Sequence, residues 1–182
     1  GWVFGNLESH DALCCRLANG SGACVIAIDY RLAPEHRFPA AIDDCAAAYR
    51  AIAEDAKALR IDPSRFAVAG DSAGGNLAAI LALMGRDGIV PRPVFQALIY
   101  PAVNLDQTLA SYGPKTDGMV ISGVTMVYFL DHYIPSGTDR ADWRASPIKA
   151  SSHEGLPAAF VMTCGHDPLA AEGRAYAALL EK

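Results

Sequence analysis

Apolar positions along this chain follow two rhythms: short unbroken runs, and longer stretches with helical spacing. Ala23 to Ile28, Phe66 to Ala69, Val94 to Tyr100 and Ala158 to Thr163 are continuous runs, and each predicts a strand covered on both faces. Helical patterns lie between them. From Glu8, Leu13 and Leu17 stand at i, i+4, with Asn19-Gly20 as the stop. Pro39 opens a second helix, with Ile42, Cys45, Tyr49, Ile52, Ala56 and Leu59 as its apolar stripe. Leu77 to Met84 predicts a third, and another begins near Ala170. Asp62-Pro63-Ser64 reads as a turn, and Gly85 to Pro93 breaks the pattern. Strands alternating with helices predict an α/β fold, mostly a parallel sheet with helices on both faces.

The alternation pauses from Asn104 to Leu156. Tyr112-Gly113-Pro114, Ser136-Gly137-Thr138 and Ser151-Ser152 read as loop, with one helix over Ser122 to Tyr133. Met126, Phe129, Leu130 and Tyr133 share a face of that helix. Two readings stand open: a core-packing helix, or part of a cap or lid over a pocket contributed by residues 104–156.

One junction carries chemistry. The run Phe66 to Ala69 ends in Gly70-Asp71-Ser72-Ala73-Gly74-Gly75-Asn76 and passes at once into helix formers. Three fixed positions match G-x-S-x-G by chance in about one chain in twenty of this length, but strand, sharp turn and helix together make the match a nucleophile elbow. The turn forces Ser72 into an unfavourable backbone conformation, and Gly70 and Gly74 are expected to remove flanking clashes. Gly75 is expected to let the helix pack close to the sheet.

Length and composition narrow the class. At 182 residues, 52% hydrophobic and 19% charged, the chain suits one domain over 1–182 with a proper core. A net charge of -5 argues against nucleic acid or an anionic membrane as partner. No apolar run is long enough to cross a bilayer, and the start has no signal-peptide pattern. Cys14, Cys15, Cys24, Cys45 and Cys164 are odd in number and lack CxxC spacing. They suggest neither a zinc site nor a disulfide framework, and point to a reducing, cytoplasmic setting. The chain lacks an initiator Met, opens in a loop and stops inside a helical pattern, so it is expected to be truncated at both ends.

A serine hydroxyl needs a base, and the base needs an orienting group. Seven aspartates follow Ser72: Asp87, Asp106, Asp117, Asp131, Asp139, Asp142 and Asp167. Only Asp167 stands just past a strongly apolar strand, where such groups gather on a parallel sheet, and it is the expected acid. The alternative for it is an Asp-Pro turn or helix cap. His132, His153 and His166 all precede Asp167, whereas the order Ser, acid, His puts the base after it. The base is therefore expected beyond Lys182. Ala73 N–H is one expected oxyanion donor, and the others should come from a glycine loop preceding or ending at Gly1.

These residues resemble the hormone-sensitive-lipase-like family of α/β-hydrolase carboxylesterases over essentially the whole chain. Gly1-Trp2-Val3 is similar to the tail of the family's His-Gly-Gly-Gly-Trp loop. Asp29-Tyr30-Arg31-Leu32-Ala33-Pro34-Glu35-His36, then Phe38-Pro39-Ala40-Ala41, resembles its next loop and helix start. Gly70 to Asn76 matches its elbow, and Asp167-Pro168-Leu169 its catalytic acid. Ala170-Ala171-Glu172-Gly173 departs from the usual Arg-Asp-Glu-Gly, which alters support for the acid loop. The resemblance implies eight strands with a helical cap, of which this chain holds about the middle half. It also implies hydrolysis of short- to medium-chain acyl esters of small molecules, without cofactor or metal. A lactonase or deacetylase with the same chemistry, or a non-catalytic small-molecule receptor on the same scaffold, is the alternative.

Overall fold

In the computed structural model, residues 1–112, 116, 118–134 and 140–181 are described. Gly113-Pro114, Ser136-Gly137-Thr138 and two of the candidate acids, Asp117 and Asp139, lie outside the described residues. Three of the apolar runs form the parallel sheet: β1 (Ala67–Asp71), β2 (Phe95–Ile99) and β3 (Ala158–Met162), in that spatial order. The register runs from Ala67, Phe95 and Ala158 to Asp71, Ile99 and Met162. Backbone bonds carry it one step further, from Ser72 N–H to Ile99 O at 2.8 Å and from Tyr100 N–H to Met162 O at 2.7 Å. All three strands therefore end at one level, where their loops meet.

Helices fill the gaps the periodicity marks: α1 (Leu7–Ser21), α2 (Ala40–Glu54), α3 (Ala56–Leu59), α4 (Ala73–Arg86), α5 (Leu109–Tyr112), α6 (Gly123–Tyr133) and α7 (Ala170–Leu180). α1 outruns its expected stop, because Gly22, not Gly20, takes the left-handed cap at φ 69° and donates to Ala18 O. The long stripe expected after Pro39 breaks at Asp55, leaving Leu59 exposed on α3. α4 is apolar almost all round and buried almost all round, with the sheet on one side and α2 on the other. Ile80, Leu83 and Leu98 are fully buried, each worth about 1.5–3 kcal/mol.

One expectation about the strands is corrected. Ala23 to Ile28 forms no ladder with any described segment and leaves Val25 and Ile26 exposed. An apolar run qualifies a segment for a strand, but a ladder needs a partner. The sheet, moreover, is buried on one face among the described residues. Val68, Gln96 and Leu98 point into the α4 layer, while Phe95, Phe160 and Met162, in the alternate register, are 37–52% exposed. Apolar residues on both sides of each strand give the doubly covered pattern, whether or not the second layer is among these residues.

α6 follows its expected bounds, with Ser122 accepting from Thr125 N–H as the cap. Its Met126, Phe129, Leu130 and Tyr133 face is buried in the core. At the centre, the fully buried Asn76 donates from Nδ2 to Ala102 O and Ala145 O, both at 2.8 Å. It ties α4 to two loops at once. Asn76→Ala strands both carbonyls and is expected to lower the unfolding free energy by about 3 kcal/mol. Urea denaturation measures this, and a loss below about 0.5 kcal/mol would contradict the tie.

Candidate active site

β1 delivers Ser72 to the point where strand becomes helix. Ser72 sits at φ 52°, ψ -114°, a region that costs a non-glycine residue about 1–3 kcal/mol. Its backbone is held on every side. Its N–H donates to Ile99 O, and its carbonyl accepts from Asn76 N–H at 3.1 Å and Ala102 N–H at 3.2 Å. The side chain is half-buried, and among the described residues no hydrogen bond engages Oγ. Ala73 N–H begins α4 directly behind it.

The glycines of the motif divide the work differently from expectation. A Cβ on Gly70 would lie 2.2 Å from the Gly74 carbonyl carbon, and one on Gly75 would lie 2.8 Å from Pro101 Cβ. A Cβ on Gly74 would meet only Asp71 Oδ1, at 3.9 Å, which is ordinary contact. Gly70 clears the backbone of residue 74, which any residue there would present. Gly75 lets Pro101 close on α4.

The glycine-bearing start of the chain lies beside the elbow. The Gly1 nitrogen is buried there, close enough to feel the charge of Asp71. A Cβ on Gly1 would be 3.0 Å from Phe129 Cε1. Trp2, at φ 57°, is buried and stacks on Tyr133 with centroids 4.9 Å apart, and its carbonyl accepts from Ala33 N–H at 2.8 Å. The aromatic face of α6 thus clamps this loop. Asp71 points to α1, where His10 Nε2 lies 3.5 Å from Oδ1. Arg31 grips Asp44 of α2 with Nη2 at 2.7 Å and holds that carboxyl below its usual range. The loop after Asp29 is tied down in this way.

Asp167 is the fifth residue past β3, at the same carboxyl end of the sheet where Ser72 directly follows β1. Its Oδ1 accepts from Leu169 N–H at 2.8 Å and its carbonyl from Ala170 N–H at 3.1 Å, an Asx-type turn just ahead of α7, whose N-cap Leu169 has no side-chain cap bond. That leaves Oδ2 without a bond among the described residues. No described hydrogen bond joins a histidine to Ser72 or Asp167. His132 Nδ1 pairs with Tyr128 O at 2.8 Å, and His153 Nε2 with Pro147 O at 3.1 Å. His166 is exposed beside Asp167. Among the described residues no cluster of acids, histidines and cysteines could hold a metal ion.

Sequence reasoning missed the burial of Glu172, whose carboxylate accepts from Val103 and Asn104 N–H and from Gln107. Burial pushes it up to about 7 against the pull of those donors, and the charge of Asp167 adds to the rise. The sequence gives one faint signal: the acid stands one turn into a helix directly after the Asp-Pro-Leu loop. It also missed Pro101 and Ala102, which follow β2 and lie against the elbow.

Known proteins resemble this chain over its whole length. The sequence profile of a family described as alpha/beta hydrolase fold matches residues 1–182. The carboxylesterase NlhH of Mycobacterium tuberculosis is 44% identical over 99% of the chain, and an ethyl acetate hydrolase of Pseudomonas putida 40% identical over all of it. An ester hydrolase from the metagenome of Lake Arreo, solved with a derivative of bipyridine phosphonate, superposes with a TM-score of 0.93 at 49% identity. A hyperthermophilic esterase from Pyrobaculum calidifontis gives 0.92 at 44%, and both structures match 99% of the chain. The chain spans 57–58% of the length of these four proteins.

The division among the glycines is testable by substitution. Gly70→Ala forces backbone apart and is expected to cost more than about 3 kcal/mol. Gly74→Ala is expected to stay within about 1 kcal/mol, helped by helix propensity. Thermal melts compare the two, and equal losses would contradict this account of the elbow.

Proposed function

The chain belongs to the α/β-hydrolase carboxylesterase family, and from that premise we propose that it carries the nucleophile and the acid of a serine ester hydrolase for short- to medium-chain acyl esters. The observation that carries the proposal is the elbow: Ser72 at φ 52°, with Ala73 N–H behind it and Asp167 on the loop that follows β3. Ser72 Oγ attacks the ester carbonyl and loses its proton to a histidine placed C-terminal to Lys182. Asp167, through Oδ2, orients that imidazole and stabilises its protonated form. Negative charge develops on the former carbonyl oxygen, which Ala73 N–H and the glycine loop ending at Gly1 receive. Collapse breaks the bond to the leaving alcohol, which takes the proton from the imidazolium. Water then repeats the sequence on the acyl-serine and frees the acid.

The names of two relatives, a carboxylesterase and an ethyl acetate hydrolase, support small ester substrates. Phe129, pressed on Gly1, supports an acyl site of limited length, with residues 104–156 contributing its cap. The sequence and the described residues call on no cofactor or metal for these steps. The five free cysteines support a reducing, cytoplasmic setting. Among the described residues no helix is long and apolar enough to cross a membrane.

In the full-length protein, a fluorophosphonate is expected to label Ser72, and p-nitrophenyl butyrate to be hydrolysed faster than long-chain triglyceride emulsions. Ser72→Ala is expected to abolish labelling and lower kcat by about 10⁴- to 10⁶-fold. Labelling that survives the substitution would overturn the assignment of Ser72. A preference for long chains would overturn that of the acyl site.

A further inference from the structure

Among the described residues Glu172 is the only buried carboxylate, 6% exposed, and the steps above make no use of it. We propose that Glu172 is a positioning residue for ester hydrolysis, a strut that holds the Ser72 elbow and the Asp167 loop at a set distance. The roles of Ser72 and Asp167 in this proposal rest on the reading above. Glu172 Oε1 accepts from Val103 N–H at 2.7 Å and Asn104 N–H at 3.2 Å, and Oε2 accepts from Gln107 Nε2. With both oxygens taken and the group buried, it cannot reach a base histidine, which separates its task from that of Asp167.

The three donors belong to the segment that leaves the end of β2. That segment reaches the nucleophile directly. Ala102 N–H donates to Ser72 O at 3.2 Å, and Pro101 fills the space a Cβ on Gly75 would need. From its other end the strut reaches the acid within one helical turn. Glu172 precedes Gly173, whose N–H donates to Leu169 O at 3.0 Å, and Leu169 N–H in turn binds Asp167 Oδ1. Thr163, between β3 and Asp167, lies 2.9 Å from where a Cβ on Gly173 would be. Removing the carboxylate leaves the buried Val103 N–H and the part-buried Asn104 N–H without partners, so the segment must shift to find water. Any such shift moves Ser72 and Asp167 relative to one another.

The test compares Glu172→Ala with Glu172→Gln in the full-length protein. It measures kcat and KM on p-nitrophenyl butyrate per Ser72 titrated with fluorophosphonate, so that unfolded molecules do not count. Misplacing reacting groups by about 1 Å costs about 10²-fold. Glu172→Ala is therefore expected to lower kcat by about 10- to 100-fold with KM within about twofold. The glutamine variant keeps an acceptor for Val103 and Asn104, and Gln107 can turn its amide to suit. It is expected to recover at least about fivefold of that loss. Unchanged kcat per titrated serine in the alanine variant would overturn the strut, as would equal loss in both variants. If Glu172→Ala fails to fold, Gln107→Leu carries the test, with about a threefold loss of kcat expected and no loss overturning the proposal. Amide exchange separates this proposal from the esterase reading. If the wild type shows no Ser72-dependent turnover, that reading fails. Exchange at Ala102 then decides the strut: faster in Glu172→Ala supports it, unchanged overturns it.

Discussion

The site depends on a close approach of backbone to backbone. Gly70 and Gly74 pass so near each other that no side chain fits on Gly70, and that contact lets β1 turn into α4 without an intervening loop. The turn places Ser72 in a conformation that costs about 1–3 kcal/mol on its own. The surroundings over-determine it. β2 takes its N–H, and Asn76 and Ala102 share its carbonyl. The apolar body of α4, packed between sheet and α2, keeps the helix from sliding to relieve the strain.

Three loops at the carboxyl end of the sheet are then tied to this point by separate means. The segment after β2 is bound through Ala102 to Ser72 and through Val103 and Asn104 to Glu172. The start of the chain is held by ring stacking, Trp2 on Tyr133, and by Phe129 against Gly1. The acid loop is shaped by Asp167, whose own carboxylate accepts from Leu169 N–H. Hydrogen bonds fix the polar segments and aromatic packing fixes the apolar one. Each tie is short in space and long in sequence, which is how an open α/β sheet assembles a site from distant loops.

Much of this was legible beforehand. The three ladder strands, α4 and α6 follow from local pattern, because apolar runs and helical spacing are local properties. The positions of Ser72 between β1 and α4 and of Asp167 on the loop after β3 follow from where such runs end, and the resemblance to a known esterase family rests on the same residues. What was not legible depends on partners. Ala23 to Ile28 has the composition of a strand but no described ladder, and Phe160 and Met162 have the composition of core but no described cover. The motif's spacing suggests that Gly70 and Gly74 matter alike. Only the path of the backbone shows that Gly70 and Gly75 need to lack a side chain. Local pattern singles out nothing about Glu172 beyond its place in Ala170-Ala171-Glu172-Gly173. Its burial appears once Val103, Asn104 and Gln107 are brought to it from nearly seventy residues away.

The central claim is that this elbow presents Ser72 Oγ to an acyl carbon with Ala73 N–H facing the developing oxyanion. A crystal structure of the full-length protein treated with an activated phosphonate ester tests it most directly. The account predicts a phosphorus bonded to Ser72 Oγ and a phosphonyl oxygen about 3 Å from Ala73 N. Phosphorus bonded to any other residue, or a phosphonyl oxygen turned away from Ala73, would contradict it.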